Sequence, residues 1–268
     1  MNYPDNIFLS RHSYFEKRFA RLIKRALSDQ YNEMASLFAA GQDIGKVDDN
    51  GLKMVYQAMY QLIMEDEGTL TWNSIVAPIT NQEISTKDIF DEVASTLKPQ
   101  ETSQMTSFWR RLMDGFLQTY IIFRISEVLS TGIKRVRELI SKQRGLGLSD
   151  EQITQLIRSV DLELRANTIA RTETTNAMSK AQIFSLESSG LNWEKAWKAM
   201  RDDRTRDSHI MTDPKFFIPL QDNFIVQGQQ LAYPGDSTQG ASMNNTINCR
   251  CRLAFRQTGS RFGFNINR

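Results

Sequence analysis

From Ser10 to about Arg144 apolar residues return every three or four positions and proline is scarce, a pattern that predicts one helix after another. Phe15, Phe19, Leu22, Ile23 and Ala26 draw the apolar stripe of the first helix. Breaks are predicted at Gly41 to Gly51, at Gly68, at Pro78 and at Pro99. Between them the pattern predicts a helix over 52–64 and another starting at Ser85 or Thr86, where Asp88 places negative charge in the first turn. After Pro99, the residues Phe108, Leu112, Phe116, Tyr120 and Phe123 continue an apolar line into a long helix reaching about Leu139.

The run Gly145-Leu146-Gly147-Leu148 interrupts the periodicity, and Ser149-Asp150-Glu151-Gln152 after it has the form of a capping box. A helix carrying Ile153, Leu156, Ile157 and Val160 is predicted there, then another from about Leu162 to Gly190, whose tolerance of positive φ suits a helix end. Beyond Gly190 the helical spacing fades and short extended runs take over. Trp193 and Trp197 fall on one face of a strand, Phe224-Ile225-Val226 forms another, and Tyr233-Pro234-Gly235-Asp236 has the residues of a type II turn. In Asn248 to Arg256 the residues Cys249, Cys251, Leu253 and Phe255 alternate with Arg250, Arg252, Ala254 and Arg256, which predicts a last strand with one apolar and one mostly basic face. The fold class is therefore α+β: a mostly helical region over 1–146, a smaller α+β domain with short antiparallel strands over 147–258, and a basic tail over 259–268.

Composition narrows the field. At 268 residues, 40% hydrophobic and 24% charged, the chain is an ordinary globular protein, and its net charge of +2 is too small to draw nucleic acid to the whole surface. Basic clusters occur locally, in Arg11, Lys17, Arg18, Arg21, Lys24 and Arg25 of the first helix and in Lys134, Arg135, Arg137, Lys142 and Arg144. They read either as solvated faces or as sequence-independent phosphate contacts, for which Lys17, Arg18, Arg21, Lys134, Arg135 and Arg137 are the candidates. The N-terminal stretch has no apolar core of the kind a signal peptide needs, so secretion by that route is not expected. The apolar run at Tyr120-Ile121-Ile122-Phe123 is cut by Arg124, far short of the roughly 20 residues of a membrane span.

Three groups of residues carry candidate chemistry. Glu173 interrupts the apolar line formed by Ile169, Ala177, Ala181 and Phe184, and a carboxylate placed there needs a partner. Arg204 and Arg206 are expected to supply it, with Arg171 answering Asp202 or Asp203; the group reads either as a polar latch or as a catalytic carboxylate. Trp193 and Trp197 read as core packing or as a stacking surface. His209 with Cys249 and Cys251 suits zinc, with Asp203, Asp207 or Asp236 as candidates for a fourth ligand; the other reading is a buried thiol pair beside a hydrogen-bonded histidine. Cys249 and Cys251 are too close in sequence for an ordinary structural disulfide, so a reducing compartment is expected. His12, among basic residues, carries no expected role. No nucleophile elbow, P-loop, dinucleotide fingerprint or metalloprotease motif is present, and no enzymatic activity is expected.

Five strings occur in a recognisable order: Ile169-Ala170-Arg171-Thr172-Glu173-Thr174 with Asn176; Trp197; Asp202-Asp203-Arg204-Thr205-Arg206-Asp207-Ser208-His209; Tyr233-Pro234-Gly235-Asp236; and Asn248-Cys249-Arg250-Cys251. In this order and spacing they resemble the phage head-morphogenesis and minor capsid family typified by the Mu F protein, over about residues 147–258. One departure is that Pro214 follows Asp213 where the family usually has glycine, so the loop after His209 is expected to be built differently. The resemblance implies a structural minor head protein of a tailed bacteriophage, used in procapsid assembly and genome packaging or delivery. It implies the portal protein as partner, the major capsid or scaffolding protein as further neighbours, double-stranded DNA contacted without sequence preference, and no membrane. The implied location is the capsid interior near the portal, after assembly in the host cytoplasm. Two rivals stand beside it: an effector or toxin-type transferase acting through Glu173, and a purely DNA-binding protein.

Overall fold

The computed structural model describes residues 5–80, 104–213 and 216–258. The predicted helix start at Ser85 or Thr86, the break at Pro99 and the tail over 259–268 lie outside the described residues. The elements in chain order are α1 (Asp5–Ala39), a 3-10 turn (Ile44–Lys46), α2 (Asn50–Thr71), a π turn (Trp72–Val76), α3 (Ala77–Thr80), α4 (Gln104–Gly145), α5 (Asp150–Arg158) and α6 (Glu163–Ser188). Then follow β1 (Trp193–Lys198), α7 (Asp207–Thr212), β2 (Ile218–Pro219), β3 (Phe224–Val226), β4 (Gln229–Leu231), α8 (Met243–Thr246) and β5 (Arg252–Gln257). A long helical region followed by short antiparallel strands is the α+β class that the residue pattern predicts.

Contacts divide the chain into two compact units, neither of them continuous in sequence. The unit built from Glu16–Met59 and Phe116–Ala170 is all helical in its described regular structure. Phe19, Ile23, Leu27, Tyr31 and Met34 bury one stripe of α1, and Leu52, Tyr56, Ile121, Ile125, Ile153 and Ile157 complete the core. Leu22 and Phe123, expected in the stripes, are instead 42% and 47% exposed: Leu22 lies about a quarter turn off the buried line of α1, and Phe123 lies on the side of α4 away from Ile121, Ile125 and Val128. Arg165 ties α6 to its neighbours here, donating to the Tyr31 hydroxyl at 3.0 Å and to the Val128 carbonyl at 2.6 Å. The capping box is formed: the Gln152 amide donates to the Ser149 hydroxyl, and the Ser149 amide donates to the Gln152 side chain.

The other unit comprises Met1–Phe15, Tyr60–Gly115 and Arg171–Arg268. Its three-stranded antiparallel sheet has the order β2-β1-β5, with Trp197 opposite Leu253 and Trp193 opposite Gln257. β3 and β4 form a separate hairpin. Its two-residue turn, Gln227-Gly228, has positive φ at both positions (50° and 74°), the twist that matches antiparallel strands. Trp72, Val76, Leu186, Trp197, Phe224, Tyr233 and Leu253 belong to one apolar core between helix and sheet.

Three expectations need correction. Gly68 does not end α2: it is buried within the helix, and its carbonyl accepts a hydrogen bond from the Ser185 hydroxyl at 2.8 Å. Pro78 does not break the helix outright, because the π turn just before it widens the coil where proline cannot donate. The last strand begins at Arg252, after both cysteines. Lys198, the final residue of β1, pairs with Arg252, so nothing lies opposite Cys249 to Cys251 for them to pair with. On the face expected to be mostly basic, Arg252 is buried while Arg256 is exposed. Among the described residues no helix is long and apolar enough to cross a membrane.

Candidate metal centre

His209 sits in α7, a six-residue helix that follows the Asp202–Arg206 loop. Its Nδ1 atom lies 3.5 Å from Cys251 Sγ and 3.7 Å from Cys249 Sγ, and the three ligand-type atoms all lie within 4.8 Å of one another. All three residues are buried. The Trp197 ring meets the imidazole edge-on at 5.1 Å between centroids, so the aromatic core forms one wall. The Cys249 thiol is lowered, chiefly by a hydrogen bond from Cys251, while Cys251, as donor and by burial, is pushed up.

The backbone carrying the sulfurs is held from several sides. Asn248 adopts a left-handed conformation (φ 58°) that turns the chain; its amide donates to the Thr172 hydroxyl at 3.0 Å, and its side chain accepts from Arg171 at 3.1 Å. Arg206 donates to the Ile247 carbonyl at 2.6 Å, and Arg250 pairs with Asp202. The hydroxyl of Thr175 donates to the Cys249 carbonyl. The same hydroxyl oxygen lies 2.8 Å from His12 Nε2, so His12 and Thr175 are hydrogen-bonded partners. Burial, with Arg171 and Arg250 nearby, pushes His12 down to about 3, so it is neutral.

A second polar group lies one turn away on α6. Glu173 is fully buried, and the Tyr60 hydroxyl donates to its carboxylate at 2.6 Å. Asn176 donates to the Gly235 carbonyl at 3.0 Å, joining α6 to the turn at Tyr233–Asp236. That turn closes through the Asp236 amide and the Tyr233 carbonyl at 3.1 Å, with Gly235 at φ 85°. A side chain at Gly235 would meet the Asn176 backbone at 3.5 Å as well as bear the strain of that φ. Further along α6, Gln182 donates to the buried Glu67 at 2.7 Å, and Arg11 donates to the same carboxylate at 3.3 Å.

The expected partners are thus rearranged. Glu173 is met by Tyr60, while Arg206 goes to a backbone carbonyl and Arg204 is exposed. Asp202 is met by Arg250, Thr205 and the Arg204 amide, Arg171 by Asn248, and Asp203 is exposed. Of the proposed fourth ligands, Asp203 and Asp207 are exposed, and Asp236 is occupied by Ala232 and Thr238. Asp213, at the site of the departure from the family pattern, is buried and pairs with Arg201 at 2.8 Å. Trp193 and Trp197 are both core residues. Sequence reasoning missed His12, Tyr60, Thr172 and Thr175. The available signal was the polar run Thr172 to Asn176 inside a helix, all of which turns out to be buried.

Lys17, Arg18, Arg21, Lys134, Arg135 and Arg137 all lie in the helical unit and are exposed. Arg137 pairs with Asp43 at 3.2 Å, and Lys134 approaches Glu138 at 4.0 Å.

Residues 134–254 match the family model described as Phage Mu protein F like protein. The chain carries a Mu F-like segment. This supports a phage head-morphogenesis and minor capsid assignment, in agreement with the five strings quoted above. No curated protein and no solved structure matches the chain. The Mu F-like segment contains every member of the histidine–cysteine cluster, whereas His12, Tyr60 and Glu67, which hold its helix α6, lie outside the matched residues.

Proposed function

We propose that this protein is a minor head protein of a tailed bacteriophage whose role is structural: it joins the procapsid, contacts the portal protein, and faces DNA inside the capsid. The match of residues 134–254 to the Phage Mu protein F like family carries this reading. The major capsid or scaffolding protein is the further neighbour, and assembly takes place in the host cytoplasm. No catalytic step is assigned. Glu173, the residue on which a transferase reading would rest, is fully buried and hydrogen-bonded by Tyr60, which supports a latch over a group that meets substrate. The exposed lysines and arginines of the helical unit offer sequence-independent phosphate contacts.

The test is co-expression with the portal protein encoded by the same genome, followed by purification through a tag on the portal. A stable, salt-resistant complex is expected. Quantitative separation of the two proteins at micromolar concentration would contradict the portal contact.

A further inference from the structure

We propose that His209 Nδ1, Cys249 Sγ and Cys251 Sγ hold a zinc ion, with one water molecule as the fourth ligand, and that this ion is a structural cross-link. The distances carry the assignment. Zinc bonds of about 2.3 Å to sulfur and about 2.0 to 2.1 Å to nitrogen, set at tetrahedral angles, separate nitrogen from sulfur by about 3.6 Å. The observed separations are 3.5 and 3.7 Å. A simple thiol–imidazole hydrogen bond does not call for this arrangement. The Nδ1 atom has a single lone pair and accepts one S–H proton well, yet two sulfurs flank it at nearly equal distance. Three donor atoms around one centre is what a cation requires.

The chemistry of the donor set agrees. Two thiolates and a neutral imidazole are soft and borderline ligands that suit zinc, and two thiolates cancel the ion's double charge, so the buried centre is neutral overall. Among the described residues no carboxylate joins the three within their 4.8 Å circle. A cavity of about 10 Å³ adjoins the cluster, lined in part by Met200, Asp202 and Thr205. That is room for about one water molecule, which suits water as the fourth ligand. The histidine and the first cysteine are 40 residues apart in the chain, so the ion closes a long loop between α7 and the segment that leads into β5.

The experiment uses the whole chain, reduced and stripped of metal, titrated with zinc and separately with cobalt. Uptake of about one ion per chain is expected, cobalt giving the ligand-field bands of a four-coordinate ion and a thiolate charge-transfer band. X-ray absorption of the zinc form is expected to show two sulfurs at about 2.3 Å and two lighter atoms at about 2.0 to 2.1 Å. His209→Ala is expected to weaken binding by more than about 100-fold, beyond the 10- to 100-fold usual for losing a group behind a ligand. The cobalt spectrum of the unaltered chain decides the matter even where that variant fails to fold. Absence of one-to-one uptake, or a cobalt spectrum without a thiolate band, overturns the site. A shell with three sulfurs overturns the water.

Discussion

The Thr175 hydroxyl donates its proton to the main-chain carbonyl of Cys249, so a residue of α6 fixes the backbone that carries the sulfurs. The same oxygen is hydrogen-bonded to His12 Nε2, which makes a chain of three groups, all buried. Thr175→Val keeps the shape and removes both bonds. Each buried group left without a partner costs about 1 to 3 kcal/mol, so for the two groups a loss of about 2 to 6 kcal/mol is expected in denaturant unfolding, most of it restored by Thr175→Ser. A change below about 0.5 kcal/mol would show that these bonds hold nothing.

His12 gives a pH signature. Its folded value of about 3 lies below its ordinary 6.5, so the stability it contributes is present above 6.5 and is lost as pH falls toward 3. At about 1.4 kcal/mol per pH unit, that window spans up to about 5 kcal/mol. The groups responsible besides burial are Arg171 and Arg250. In His12→Gln, which keeps a side-chain donor, the difference in stability from the unaltered protein should shrink steadily as pH falls through this window. A difference independent of pH contradicts a buried, neutral His12.

Glu67 works in the opposite sense. Burial pushes its carboxyl up to about 7 from 4.5, even though Arg11 and Gln182 act to lower it. The stability it contributes is therefore present below 4.5 and lost as pH rises to about 7, a span of about 3 kcal/mol. Glu67→Gln keeps the shape and should flatten the stability profile between these limits. An unchanged slope would mean that Glu67 does not titrate there.

Much of this was legible in the residues. Phe15, Phe19 and Ile23 announce α1 by spacing alone, Ser149 and Gln152 announce the start of α5, and Trp193 and Trp197 announce β1. Convergence of His209 with Cys249 and Cys251 was also readable, because few other residue types share that chemistry. The partners of Glu173 were not. A carboxylate on an apolar stripe requires a donor, but nothing local says whether it is an arginine nearby in the chain or a tyrosine 113 residues away. The late start of β5 was hidden for the same reason: alternation persists through Cys249 and Cys251, while pairing depends on where β1 stops.

Phosphate contact by the helical unit predicts a salt dependence. Binding to double-stranded DNA should weaken on a log–log plot with a slope of about 0.9 per phosphate neutralised. Replacing Lys17, Arg18 and Arg21 by glutamine should reduce that slope, since all three side chains are exposed. A slope unchanged by the replacement, or strong preference for one sequence, contradicts this role.

Membership of the phage head is tested by quantitative mass spectrometry of heads. Procapsids and DNA-filled heads produced by the genome that encodes this chain would be purified and their proteins counted. The chain is expected in both particles, in far fewer copies than the major capsid protein and comparable to the portal protein. Abundant expression in the host with none in either particle would contradict it.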